Sequence, residues 1–130
     1  MKANELMIGD WVMFNNGTDQ VQEIYGLAGN AYLKEYGTID VSKLSPIPLT
    51  AEILEKNFLT QRGEWTEPVL YFFGDDYIEV SIKEYTEGIW EVVIDEVEMS
   101  CLPSWRMYVS DVHQLQHALR LCGIDKEIEL

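Results

Sequence analysis

Two histidines, His113 and His117, stand four residues apart in the stretch VHQLQHALRLCG. On a helix that spacing places both imidazoles on one face, where they can share a zinc ion. With a nearby acid the pair would suit a small metal-dependent hydrolase, in which the metal activates a water. Two features oppose this. No Glu follows His113 as in the His-Glu-x-x-His arrangement, and the cationic Arg120 falls on the same face. That face lies opposite Val112, Leu115 and Leu119, so a solvated polar stripe is expected rather than a metal site.

Paired acids are the second chemical signal. Asp75-Asp76 lies in a glycine turn, and Glu79 and Asp95 face each other in the hairpin register derived below. Such pairs can share a proton or hold calcium through hard oxygen ligands. The turn lacks the calcium-loop spacing of alternating acids closed by a distal Glu. Cys101 precedes both histidines, but a lone Cys and lone His residues are a weak nucleophile–base signal. No Gly-x-Ser-x-Gly elbow, phosphate loop or Gly-x-Gly-x-x-Gly turn is present. The expectation is therefore a protein with no catalytic residue, no cofactor and no bound metal. Trp65, near Glu67-Pro68, and Trp105, near Pro103, are candidate exposed anchors for a protein partner.

The elements that must position these residues divide at Ser45-Pro46-Ile47-Pro48, where the two prolines enforce extended backbone. Residues 1–49 read as a small β-barrel-like subdomain. Short apolar runs (Trp11 to Phe14, Val21 to Tyr25, Ala31 to Tyr36, Ile39 to Val41) alternate with turns at Asn16-Gly17, Gly29-Asn30 and Gly37. The segment IGDWV, with Val21, Glu23 and Ile24 after the turn, resembles the opening hairpin of Src-homology-3-like barrels.

Residues 50–130 read as an α+β subdomain. Thr50 is an N-cap for a short helix carrying Ile53, Leu54 and Phe58 inward, with Asn57 as a left-handed C-terminal cap. Strands follow at 58–61, 69–73, 77–85, 89–95 and 97–102. A three-residue loop at 86–88 would pair Tyr85 with Ile89, Ile82 with Val92 and Val80 with Ile94. Ile78, Val80, Ile82, Trp90, Val92 and Ile94 then share one face, and a one-residue slip would mix core with solvent. The opposite face, with Glu79, Lys83, Glu91 and Asp95, is expected to be acidic. A last helix, capped by Ser110 or Asp111 and closed by Gly123, should cover this antiparallel sheet, and 124–130 should add an edge strand.

Composition bounds the function. In 130 residues, 47% are apolar and 12% aromatic, which is enough for a core. Asp and Glu number 23 against 9 Lys and Arg, a net charge of −14. Residues 75–98 alone carry nine acids against Lys83. Such a surface repels phosphate backbones and anionic lipid, so no direct nucleic-acid or membrane binding is expected. Two cysteines, Cys101 and Cys122, make no disulfide framework and are expected as free thiols of a cytoplasmic protein. The start, Met1-Lys2-Ala3-Asn4-Glu5, does not read as a signal peptide.

Three segments, ELMIGDWV (5–12), SPIPLTAEILEKNF (45–58) and VHQLQHAL (112–119), together resemble a family of short uncharacterised proteins from gut anaerobes and their phages. This chain departs at Asn57-Phe58, where the family often has Gly-Phe, and at His117, where Asn is usual. The resemblance implies a phage or mobile-element setting and no particular mechanism. The function expected is that of a non-enzymatic interaction module whose surface draws on Trp65, Trp105, Glu79, Glu91, Asp95, His113 and His117. A homo-oligomer is compatible with it. The competing readings are an acidic decoy that imitates nucleic acid to capture a basic host protein, and the metal-dependent hydrolase above.

Overall fold

A computed structural model describes residues 1–15, 19–28, 30–62, 68–74, 77–96 and 105–130. The expected turns at Asn16-Gly17 and Asp75-Asp76, and also Trp65, Cys101 and the strand at 97–102, lie outside the described residues. The described chain is α+β, with two five-stranded antiparallel sheets and two α-helices. It forms two compact units: Met1–Pro48 with Asp111–Glu127, and Leu49–Ser110 with Ile128–Leu130.

In the first unit the strands are β1 (Trp11–Asn15), β2 (Asp19–Ala28), β3 (Asn30–Leu33), β4 (Gly37–Ile39) and β5 (Leu44–Ser45), ordered β4-β3-β2-β1-β5. Alternation along β1 sends Val12 and Phe14 inward, where they join Leu6, Ile24, Ala31, Leu33 and Leu44 in one apolar cluster. The Tyr36 ring closes it, with its centroid 4.8 Å from that of Phe14. The expected barrel does not close. β4 and β5 are the two outer strands of the sheet, three and two residues long, so neither supplies a ladder long enough to seal the other.

Helix α2 (Val112–Leu121) belongs to this first unit, whereas the sequence pattern assigned it to the second. Its start is fixed by the Asp111 N–H donating to Gln114 Oε1 at 3.3 Å. Its end is a Schellman turn: Gly123, at φ +72°, donates to Arg120 O, and Ile124 donates to Leu119 O. Val112, Leu115 and Leu119 are fully buried, as their spacing requires.

The second unit opens with helix α1 (Ala51–Asn57), whose N-cap Thr50 accepts from Ile53 N–H. β6 (Leu59–Gln61), β7 (Leu70–Gly74), β8 (Ile78–Thr86), β9 (Ile89–Glu96) and β10 (Trp105–Val109) then form a sheet in the order β10-β9-β8-β7-β6. Asn57 does not take the left-handed conformation. Its amide donates to Ile53 O and Glu129 O, and its carbonyl oxygen accepts from Glu129 N–H. That clamp holds the tail as an extended segment, and the expected edge strand over 124–130 is absent.

The β8–β9 register is Val80 with Ile94 and Ile82 with Val92, as the pattern requires. The hairpin end differs. Glu84 pairs with Trp90 and Thr86 with Ile89, so Tyr85 is left as a bulge. Gly88, at φ +78°, lets the turn tighten to Glu87-Gly88 and absorbs the register change there.

Candidate functional site

Among the described residues, each unit buries one carboxylate. In the first unit it is Asp10, which is fully buried immediately before β1. Residues 7–10 form a tight turn in which Asp10 N–H donates to Met7 O at 3.1 Å and Gly9 takes φ +91°. Positive φ at the third turn position is why a glycine precedes the acid. The turn is pinned to β2 by Gly9 N–H to Ile24 O and Ile24 N–H to Asp10 O.

The Asp10 carboxylate has three donors. Met7 N–H reaches Oδ2 at 2.8 Å, His117 Nε2 reaches Oδ2 at 2.7 Å, and Arg120 Nη1 reaches Oδ1 at 2.9 Å. Because a carboxylate only accepts, this fixes Nε2 as the protonated nitrogen of His117. Gln116 completes the clasp, accepting from Trp11 N–H and donating to Gly9 O. The face of α2 expected to be solvated is therefore the one bound to the β1 turn. A stripe of His, Gln and Arg looks the same in sequence whether it meets water or a buried acid.

His113 is also buried, against expectation, with its ring edge-on to His117 at 5.6 Å. Its Nδ1 lacks a hydrogen-bond partner among the described residues. Burial pushes its pKa below the usual histidine value, while Asp10, Asp111 and Glu5 pull it up and His117 pushes it down less strongly. His117 spends its Nε2 proton on Asp10 and has no hydroxyl or thiol partner among the described residues. Two of the three members of a catalytic triad are present, without a nucleophile among the described residues. No three His, Cys, Asp or Glu side chains group to hold a metal among the described residues. Cys122, the described free thiol, ends α2 with its pKa raised by burial, which disfavours the reactive thiolate.

In the second unit the buried acid is Glu91 on β9. Residues paired across antiparallel strands share a face. Since Val80, Ile82, Val92 and Ile94 point inward, Glu91 belongs to the outward face with Lys83, Glu79 and Asp95. Cross-strand rows complete that face: Leu59–Phe72–Ser81–Val93–Arg106, and Lys83–Glu91–Tyr108. The bulged Tyr85 lays its ring 4.9 Å from that of Tyr108. The face thus carries Glu79, Lys83, Glu91 and Asp95, as alternation requires, together with aromatic and aliphatic side chains from β6, β7 and β10. Glu91 sits between Lys83 Nζ at 3.9 Å and Arg106 Nε at 3.7 Å, both beyond hydrogen-bonding distance.

The described residues among those singled out from sequence fall in both units. Trp105 is 65% exposed, but its partner Ile94 places it on the inward side of the sheet's margin. Glu79 and Asp95 are opposite one another on the outward face. Glu91 is buried, and His113 and His117 belong to the first unit. Asp10, Gln116, Tyr85 and Tyr108 were not anticipated. Asp10 carried one usable signal, a lone acid between a turn glycine and an apolar strand.

No family profile, curated protein or solved structure matches this chain. No helix among the described residues is long and apolar enough to cross a membrane.

Proposed function

We propose that the protein is a non-enzymatic interaction module that docks a protein partner on the outward face of its C-terminal sheet. One observation carries this reading: Leu59, Tyr85 and Tyr108 are all at least half exposed on one face, alongside the half-buried Phe72 and Val93. Exposed aromatic and aliphatic side chains of this kind are enriched at protein interfaces, and here they flank the charged Lys83–Glu91 pair of the central strands. The acidic-decoy reading needs carboxylates in ordered rows. Here Glu79 and Asp95 face outward, Glu91 is buried between two cations, and Glu84 pairs with the inward Trp90.

The test is capture from host lysate at low and high salt, by the wild type and by a Leu59→Asp/Tyr108→Ser double variant. The module should hold the same partner at both salt strengths and lose it on the double substitution. A partner released by salt but still held by the double variant would replace this reading with the decoy. Stoichiometric zinc in the purified protein, lost on His113→Ala, would replace it with the hydrolase. A phage or mobile-element origin, which the resemblance implies, is part of the same proposal and places the partner in the host cell.

A further inference from the structure

We infer that Glu91, with Tyr85 and Tyr108 on the same sheet face, is the receptor for a cationic side chain, arginine or lysine, of a basic partner polypeptide. The inference rests on the docking face proposed above and names the chemistry of its occupant. Glu91 is nine-tenths buried, yet the ionic contacts it makes among the described residues are those to Lys83 and Arg106, at 3.9 and 3.7 Å. Charge-assisted hydrogen bonds to a carboxylate close to about 2.7–2.9 Å. Both cations are also substantially exposed, with side-chain exposures of 46% and 60%, so water competes for them. Neither contact is a hydrogen bond, so the carboxylate keeps acceptor positions that no described side chain fills at close range.

The surroundings select the donor. Tyr108 lies directly across the strand pair from Glu91, and the bulge at Tyr85 brings a second ring against it. Two tyrosine rings near a carboxylate favour a cation, because the ring quadrupole and the acid attract the same sign of charge. A guanidinium suits the site best, since it can stack on a ring while its N–H fork reaches a carboxylate. The loosely held Lys83 and Arg106 side chains can turn outward as it enters. The net charge of −14 steers basic partners towards the chain and opposes a second copy of it.

Two peptides test this: acetyl-Leu-Arg-Leu-Arg-Leu amide and the same sequence with Gln for Arg. Each is titrated against the full chain at physiological salt and followed by backbone amide shifts. The arginine peptide should saturate shifts in β8, β9 and β10. Its affinity should fall about tenfold in Glu91→Gln and again in Tyr85→Ala/Tyr108→Ala, whose formal charge is unchanged. Unchanged affinity in both variants overturns the receptor and reduces binding to diffuse attraction. Equal binding of the glutamine peptide on this face overturns the cation preference but leaves the docking face standing. Shifts from neither peptide on this face overturn both.

Discussion

Asp10, in the turn before β1, and Glu91, within β9, are both buried acids, yet they end in opposite states. Asp10 has three donors at 2.7–2.9 Å and lies under a helix that contributes two of them. Glu91 has two cations at 3.7–3.9 Å, and both reach into solvent. Burial alone does not separate them. The number and length of the contacts does: a buried acid with its lone pairs filled holds a fold together, and one with them open is available to something else. The closed acid joins residues from 7–11 to His117, Gln116 and Arg120 of α2, and beside it Val112 N–H donates to Ile47 O.

The sharpest way to break the contrast is Asp10→Ala. It orphans the Met7 N–H and leaves His117 and Arg120 facing an empty position. Removing one partner of a well-formed buried pair costs about 3–5 kcal/mol. The partial exposure of His117 and Arg120 places the cost here at about 3 kcal/mol, because both can rehydrate. Chemical denaturation should show the lowered midpoint. An unchanged midpoint would mean that the clasp contributes no net stability.

Gly9→Ala probes the same clasp from the backbone and should cost less, about 1–2 kcal/mol for a left-handed residue bearing a Cβ. The new Cβ would also stand 3.0 Å from Arg120 Nη2, displacing the far end of a flexible side chain. Combining the substitution with Arg120→Ala removes that contact. The part of the cost that persists in the double variant is backbone strain.

These two positions also show what was legible beforehand. Helix α2, the β8–β9 register and the Thr50 cap follow from local rules, periodicity and capping chemistry, and each is present. The partner of the polar face of α2 does not follow, because Asp10 lies 107 residues from His117 in sequence. The outward face was legible only in part, for a related reason. Alternation predicted where Glu91 points, but its neighbours Tyr108 and Arg106 come from a strand whose position the sequence did not reveal. The Tyr85 bulge is a third case, since a tight turn and a looser one cost similar amounts and differ by one residue of register.

At neutral pH, His113→Phe should disturb less still, since it replaces a ring of similar shape and removes the Nδ1 that lacks a partner. Its signature is in acid. Burial lowers the folded-state pKa of His113 below 6.5, so the unfolded chain binds the extra proton first as pH falls. The stability is complete above 6.5 and drains away as the pH drops towards the folded-state pKa. Denaturation midpoints at about pH 7.5 and about pH 5.5 should differ more in the wild type than in His113→Phe. Equal differences in the two proteins would assign the acid sensitivity to other groups.

The smallest expected effect on stability is the most discriminating. Glu91→Gln keeps the shape of the side chain and removes the charge, and its two ion pairs are long and solvent-accessible on the cationic side. Exposed pairs of that kind contribute about 0–1 kcal/mol, and a buried ion pair is often replaced at no net cost. The midpoint should therefore move by less than about 0.5 kcal/mol in either direction, against about 3 kcal/mol for Asp10→Ala. A loss comparable to that at Asp10 would mean that Glu91 is already satisfied in solution, through Lys83 or Arg106 closing to hydrogen-bonding distance. The distinction between a closed and an open acid would then disappear, and with it the case for a cation receptor. A silent Glu91→Gln that nonetheless weakens the arginine peptide would separate the two roles cleanly, because the substitution would then affect binding without affecting the fold.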